Sequence, residues 1–267
     1  MPTRRRTVAM RLGVALSTCM LFVAATAPKP DVSIKTKAIE ATVTVDKALD
    51  AYPGLAPGLL AEGRAVAEKT RREADADYRQ NPKSFAFQDG RTWTFERTYS
   101  QRSAIGRYVS IVYNDDSYAG GAHPNQNVDT ILWDRDAKKR ISIRPFFKET
   151  ADKGATMTAL AKLVRVAVHA EKKRKGVEVE GSPDTDDWLK EITPSLLKLG
   201  PVTLAPSTEP GKSAGLTFHF SPYMVGPYAE GPLTAFVPWT GFKDHLSPEG
   251  AALFGGARPE GDDKQFD

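Results

Sequence analysis

At 267 residues and 40% hydrophobic content, the chain is long enough for one large domain or two small ones and apolar enough to bury a proper core. Its formal charge of +4 is carried by its first segment. Of 37 Lys and Arg, four lie in residues 1–27 beside no acid, which leaves 33 against 33 Asp and Glu in the remainder. That balance argues against nucleic-acid binding, which needs a surplus of Lys and Arg to displace counterions from phosphate.

The chain opens with a basic stretch (Arg4, Arg5, Arg6, Arg11), an apolar run from Leu12 to Val23, and small residues at Ala24, Ala25 and Ala27. This is the layout of a secretory signal peptide over 1–27. The run is shorter than the roughly 20 residues that span a bilayer, so the leader would be removed and only an uncleaved leader would touch the membrane. Cleavage after Ala25 fits better than after Ala27, which Pro28 follows. The pair Arg5-Arg6 lacks the hydrophobic residues of a twin-arginine signal, and "LSTC" has Thr18 where a lipoprotein box needs Gly, Ala or Ser. The expected location is therefore periplasmic or secreted. Cys19, the single cysteine, lies in this leader, so the remainder has no disulfide, thiol nucleophile or thiolate ligand.

"DVSIKTKAIEATVTVD" alternates with a phase slip between Ile34 and Ile39, which indicates one bulged strand or two short ones. An Ala-, Glu-, Arg- and Leu-rich segment predicts a helix from about Pro57 to Arg79, closed by Asn81-Pro82. The strands "TWTFERTYSQ", "YVSIVYN", "NVDTILWD" and "RISIRPFF" follow, with a polar turn at Asp134 to Lys139, so the sheet should be antiparallel. Met157, Leu160, Leu163, Val164, Ala167 and Val168 recur at steps of three and four, predicting a second helix from Gly154 to Lys173. "DTDDWLKEITPS" reads as a short capped helix. "VTLAP", "AGLTFHFSP" and "PLTAFVPW" read as strands, and "GFKDHLS" as a short helix. The Gly-rich, charged residues that end the sequence predict a disordered C-terminal tail. Strands and helices come in runs, which predicts an α+β fold with antiparallel sheets packed against two main helices.

The densest chemistry is "NDDSYAGGAHPNQN", Asn114 to Asn127. Asp115 and Asp116 lie on the far side of Gly120-Gly121 from His123, and no second His follows at i+3 or i+4, which argues against a metal site. The other histidines, His169, His219 and His245, make no cluster, and no G-x-S-x-G elbow or phosphate cradle is present. His169 reads as a helix-end residue, and His219 as facing away from Phe218 and Phe220 on a strand. Gly120 and Gly121 let the backbone take positive φ, and Pro124 biases His123 toward an extended conformation, which places His123 at the lip of a rigid turn.

"SYAGGAHPNQNVDTILWD" followed by "KRISIRPFF" resembles the signature of the RsiV-like extracytoplasmic domain, and "LTFHFSPYMVGPYAEGPLTAFVPW" is similar to that family's second motif. The resemblance covers about 102–246. Residues 28–101 resemble the companion domain found before it and in the noncatalytic part of the deacetylase PdaC, and 247–267 would be a flexible tail. The resemblance implies an α+β binding or sensing module in the envelope, with a lysozyme-like protein or peptidoglycan as ligand. It supplies neither a sigma-factor-binding part nor a deacetylase catalytic domain. The second motif is matched by Phe220, Tyr223, Val225, Gly226, Pro227, Tyr228, Ala229 and Gly231; of the residues in both motifs, Tyr118, Gly120, Gly121, His123, Pro124, Tyr223, Gly226 and Gly231 are read as binding residues, with no catalytic residue, metal or cofactor assigned. The competing expectation is an enzyme acting on wall polymer, a hydrolase or a deacetylase-like protein with His123 and nearby carboxylates in acid–base roles.

Overall fold

The computed structural model describes residues 29–83, 92–179 and 181–262, and the leader of residues 1–27 lies outside them. Strands β1 (Val32–Lys35) and β2 (Ile39–Val45) pair antiparallel, so the phase slip marks two strands and the turn between them. Helix α1 (Leu55–Gln80) follows and stops at Asn81, directly before Pro82. Strands β3 (Trp93–Ile105), β4 (Tyr108–Tyr118), β5 (Asn125–Asp134) and β6 (Lys139–Ile141) complete a six-stranded sheet in the order β1-β2-β3-β4-β5-β6.

One pairing departs from the expected antiparallel sheet. β2 and β3 run parallel, Ile39 opposite Trp93 through Val45 opposite Tyr99, because α1 carries the chain back across the sheet between them. α1 lies close to the sheet through Ala56, Leu59, Gly63, Ala67 and Ala74, all buried. A Cβ on Gly63 would sit 2.6 Å from Val43 Cγ1, so the contact depends on an absent side chain.

The second half adds α2 (Ala155–Arg174) and a three-stranded antiparallel sheet, β7 (Val202–Ala205), β8 (Gly215–Phe220) and β9 (Leu233–Pro238), ordered β7-β8-β9. Pro145 ends the expected strand after Ile141 and begins a 3-10 turn, Arg144–Phe146. The periodic residues of α2 face the core, with Met157, Leu160, Val164 and Val168 fully buried. Around them gather Phe146, Phe218, Phe220, Phe242 and Phe254, whereas the first core has Phe95 and Tyr99 as its buried rings.

The two sheets meet without sharing a ladder. β7 is an edge strand, and hydroxyls of the larger sheet take up its outward backbone groups. The amides of Val202 and Leu204 donate to Thr130 Oγ1 (2.9 Å) and Ser110 Oγ (3.0 Å), and Ser103 Oγ donates to the Leu204 carbonyl (2.7 Å). The division drawn at residues 101/102 falls inside β3, at the bulge between Gln101 and Ser103, so the larger sheet runs continuously across it.

The tail expected to be flexible from residue 247 is ordered through Asp262. Helix α3 (Pro248–Leu253) is capped by Ser247, and Leu253 and Phe254 are buried. Asp262 Oδ2 then lies 2.5 Å from the buried Arg102 Nη2 and 2.6 Å from Arg258 Nε. A buried guanidinium needs a carboxylate, and here residue 262 provides it. Among the described residues no helix is long and apolar enough to cross a membrane.

Candidate functional site

The stretch 114–127 is mostly strand. β4 continues to Tyr118 and β5 resumes at Asn125, so the turn itself occupies only 119–124. Gly120 and Gly121 have φ of 90° and 106°. A Cβ on Gly121 would meet nothing within 4 Å, so backbone conformation, not space, calls for glycine there. Tyr118 Oη donates to the Gly121 carbonyl at 3.1 Å and braces the turn.

The two acids do not join His123. Arg97 holds Asp115 through both carboxylate oxygens. Asp116, next along the strand and so on the opposite face, has its carboxyl pushed above the usual range by burial and then by the charges of Glu96 and Asp115. Among the described residues no group of three His, Cys, Asp or Glu is placed to hold a metal ion.

His123 meets the second motif. Its Nδ1 lies 2.8 Å from the Pro124 carbonyl, which can only accept, so Nδ1 carries the proton. In the neutral ring Nε2 is then the acceptor for Tyr223 Oη at 3.2 Å. The imidazole also stacks on Tyr228, ring centroids 3.7 Å apart and planes 19° from parallel, while the Tyr223 and Tyr228 rings lie 5.7 Å apart. Tyr228 matches the second motif but is not among the residues read from the sequence as binding; its place beside Tyr223 in that motif was the available signal.

Tyr223 has φ of 71°, in the left-handed region that bulky residues rarely enter, and is 55% exposed. Such a conformation costs on the order of 1–2 kcal/mol and persists only where surroundings impose it. Those surroundings are visible. Gly226 is buried, and a Cβ there would come within 2.3 Å of Glu230 Oε2, so the missing side chain makes room for that carboxylate. Glu230 pairs with Lys172 Nζ (3.2 Å), a buried lysine on α2. Gly231, at φ 70°, closes the Tyr228–Glu230 turn. The glycines of the second motif thus anchor the loop that presents Tyr223 and Tyr228.

Beside this corner a cleft of about 640 Å³ is lined by Tyr223, Met224, Leu196 and Leu197, with Asp129 and Glu191 also in its wall. Leu197 is 89% exposed and Met224 41%. The eight residues read from the sequence therefore fall into two groups, Tyr118 to Pro124 and Tyr223 to Gly231, which His123 and Tyr223 bring into contact.

Residues 146–240 match the family described as "Protein of unknown function (DUF3298)". A DUF3298 domain is present. A crystal structure of a DUF3298 family member from Bacteroides fragilis has a TM-score of 0.51 at 16% identity, over 81% of this chain and 92% of that one. That of a DUF3298 family protein from Pseudomonas aeruginosa PAO1 gives 0.49 at 18%, over 84% and 90%. No curated protein matches the sequence. The DUF3298 domain holds α2, β7, β8 and β9, and with them Tyr223, Gly226, Tyr228 and Gly231, while His123 comes from the turn between β4 and β5 that precedes it. The aromatic corner forms where the DUF3298 domain meets the rest of the molecule.

Proposed function

We propose that this is an exported protein of the bacterial envelope, periplasmic or secreted, that binds a ligand at the His123–Tyr223–Tyr228 corner and has no catalysis of its own. The observation that carries the reading is Tyr223, a bulky residue held at positive φ and more than half exposed. Exposed Leu197, Met224 and Tyr223 beside one cleft are the residue types that anchor protein–protein contacts, which favours a lysozyme-like protein as ligand over peptidoglycan. The sequence resemblance to RsiV-like domains and the leader-like first 27 residues support the same reading. Both ring nitrogens of His123 are engaged in hydrogen bonds, which suits a positioning role better than acid–base chemistry.

The test is retention of the purified protein on immobilised lysozyme and on isolated peptidoglycan. Retention on lysozyme that falls at least about tenfold in Tyr223→Ala is the expected result, the size of a lost anchor residue. Retention only on peptidoglycan moves the ligand to the glycan, and retention on neither removes both. Turnover of wall polymer that His123→Ala abolishes without moving the thermal midpoint would establish the enzymatic alternative instead.

A further inference from the structure

The cleft beside the aromatic corner carries charge as well as apolar surface. Ile192 and Phe220 in its lining are buried, while Leu197, Met224 and Tyr223 stand exposed. At about 640 Å³ it is large enough for one long side chain together with the chain that carries it.

Two acidic residues line it from different elements. Asp129 comes from β5 and is half-buried. Its Oδ2 accepts from Tyr113 Oη at 2.9 Å and its Oδ1 from the Thr130 amide at 2.7 Å, both neutral donors, so neither cancels its charge. Glu191 ends the 3-10 turn Asp187–Glu191. The other acids of that segment are engaged: Asp184 pairs with Arg165, Asp187 pairs with Lys190, and Asp186 accepts from the Trp188 amide and caps the turn. Glu191 is exposed and has no ion pair among the described residues. Against these two carboxylates the cleft sets one ammonium, Lys198, so its lining is net negative. Acid and aromatic surface together narrow the occupant to a cation. A guanidinium is planar and weakly hydrated, lies flat on an aromatic face and bonds a carboxylate through two N–H groups at once, whereas an ammonium is a strongly hydrated point charge.

We propose that this cleft is the specificity subsite of the corner and accepts an arginine side chain of the bound protein. The guanidinium stacks on Tyr223 and pairs with Glu191 within the field of Asp129, and apolar residues flanking that arginine rest on Leu197 and Met224. This role rests on the corner being a binding site and sets which partner it selects, one that presents an arginine among apolar residues.

Calorimetric titration of the purified protein with the peptide acetyl-Leu-Arg-Leu-amide tests the proposal. The control is the same peptide with citrulline, which keeps the shape of arginine and lacks its charge. The expected result is binding of the arginine peptide with Kd on the order of 1 mM, and of the citrulline peptide at least about tenfold more weakly. Glu191→Gln weakens the arginine peptide about fivefold, and Lys198→Ala, which removes the competing ammonium, tightens it about twofold. Both positions are exposed, so the thermal midpoint stays that of the parent. Absence of arginine-peptide binding, equal binding of the citrulline peptide, or parental affinity in both variants overturns the proposal. If lysozyme is retained through Tyr223 while the two peptides bind alike, the corner stands as a binding site and the arginine subsite falls. If the arginine peptide binds selectively while lysozyme and peptidoglycan are not retained, the subsite stands and the partner is another arginine-bearing protein.

Discussion

The two halves solve the packing problem in opposite ways. Under α1 the core is made by subtraction: Ala56, Gly63, Ala67 and Ala74 let a helix settle onto β2 and β3. Under α2 it is made by bulk, with Phe218, Phe220, Phe242 and Phe254 filling the space between helix, small sheet and α3. The difference shows in what surrounds each core. The close-packed half carries long strands, and its buried Arg97 is held by Asp115 on the neighbouring strand. The aromatic half is built from short strands and loops tied down by charge pairs that reach far along the chain, Lys172 with Glu230 and Arg102 with Asp262.

The contrast predicts where the molecule breaks. The largest effect should come from Phe218→Ala, a fully buried ring in the bulk-filled core, with a loss of about 3–5 kcal/mol in urea unfolding. A loss below about 1 kcal/mol would mean that the second core is loosely filled and the comparison false.

Acid should act on this same half. His219 is neutral in the folded protein down to about 3 but protonates near 6.5 when unfolded, so unfolding takes up a proton between those values. Stability is therefore unaffected by this group above pH 6.5 and falls as pH drops below it, by about 3 kcal/mol at pH 4. Asp262 adds to the loss at lower pH. Burial alone would raise its carboxyl, but hydrogen bonds from Arg102 and Arg258 outweigh that and hold it below 3.8, so its contribution is full above that value and declines beneath it. His219→Gln should flatten unfolding midpoints between pH 6.5 and 4, and an unchanged slope would refute the assignment.

Lys172→Ala leaves the Glu230 carboxylate unpaired and should cost about 2–3 kcal/mol, with Lys172→Met joined to Glu230→Gln restoring most of it. The smallest effect belongs to the first core. Gly63→Ala places a methyl against Val43 and Tyr99 and should lose about 1 kcal/mol net of its helical gain, while Gly58→Ala, exposed on the same helix with nothing within 4 Å, should gain up to about 1 kcal/mol. Equal effects at the two positions would show that helix propensity, not close approach, governs this face.

What the sequence made legible was local. The three-and-four spacing of Met157, Leu160, Val164 and Val168 marked the buried stripe of α2, and Asn81-Pro82 marked the end of α1. The paired glycines of the first motif announced positive φ, and Gly120 and Gly121 adopt it. What stayed hidden depends on partners far along the chain. The parallel β2/β3 pairing follows from where α1 lies, which alternation within a strand does not encode. The order of 247–262 could not be read from a Gly-rich, charged composition, because its decisive contact is with Arg102. At the site, both halves of the corner were marked by motif, but the stacking of Tyr228 on His123 is a product of the loop that Gly226 and Glu230 shape.

Asp262 and Arg102 are 160 residues apart in sequence, yet they close the junction between the sheets. While the chain is emerging from the ribosome, the larger sheet can assemble long before the residue that neutralises its buried guanidinium exists. For that interval Arg102 has to stay hydrated, and the seam between the sheets with it. The last turns of the molecule thus decide when the two halves become one body, and cleavage at 256–261 should reopen the seam while the first core stays intact.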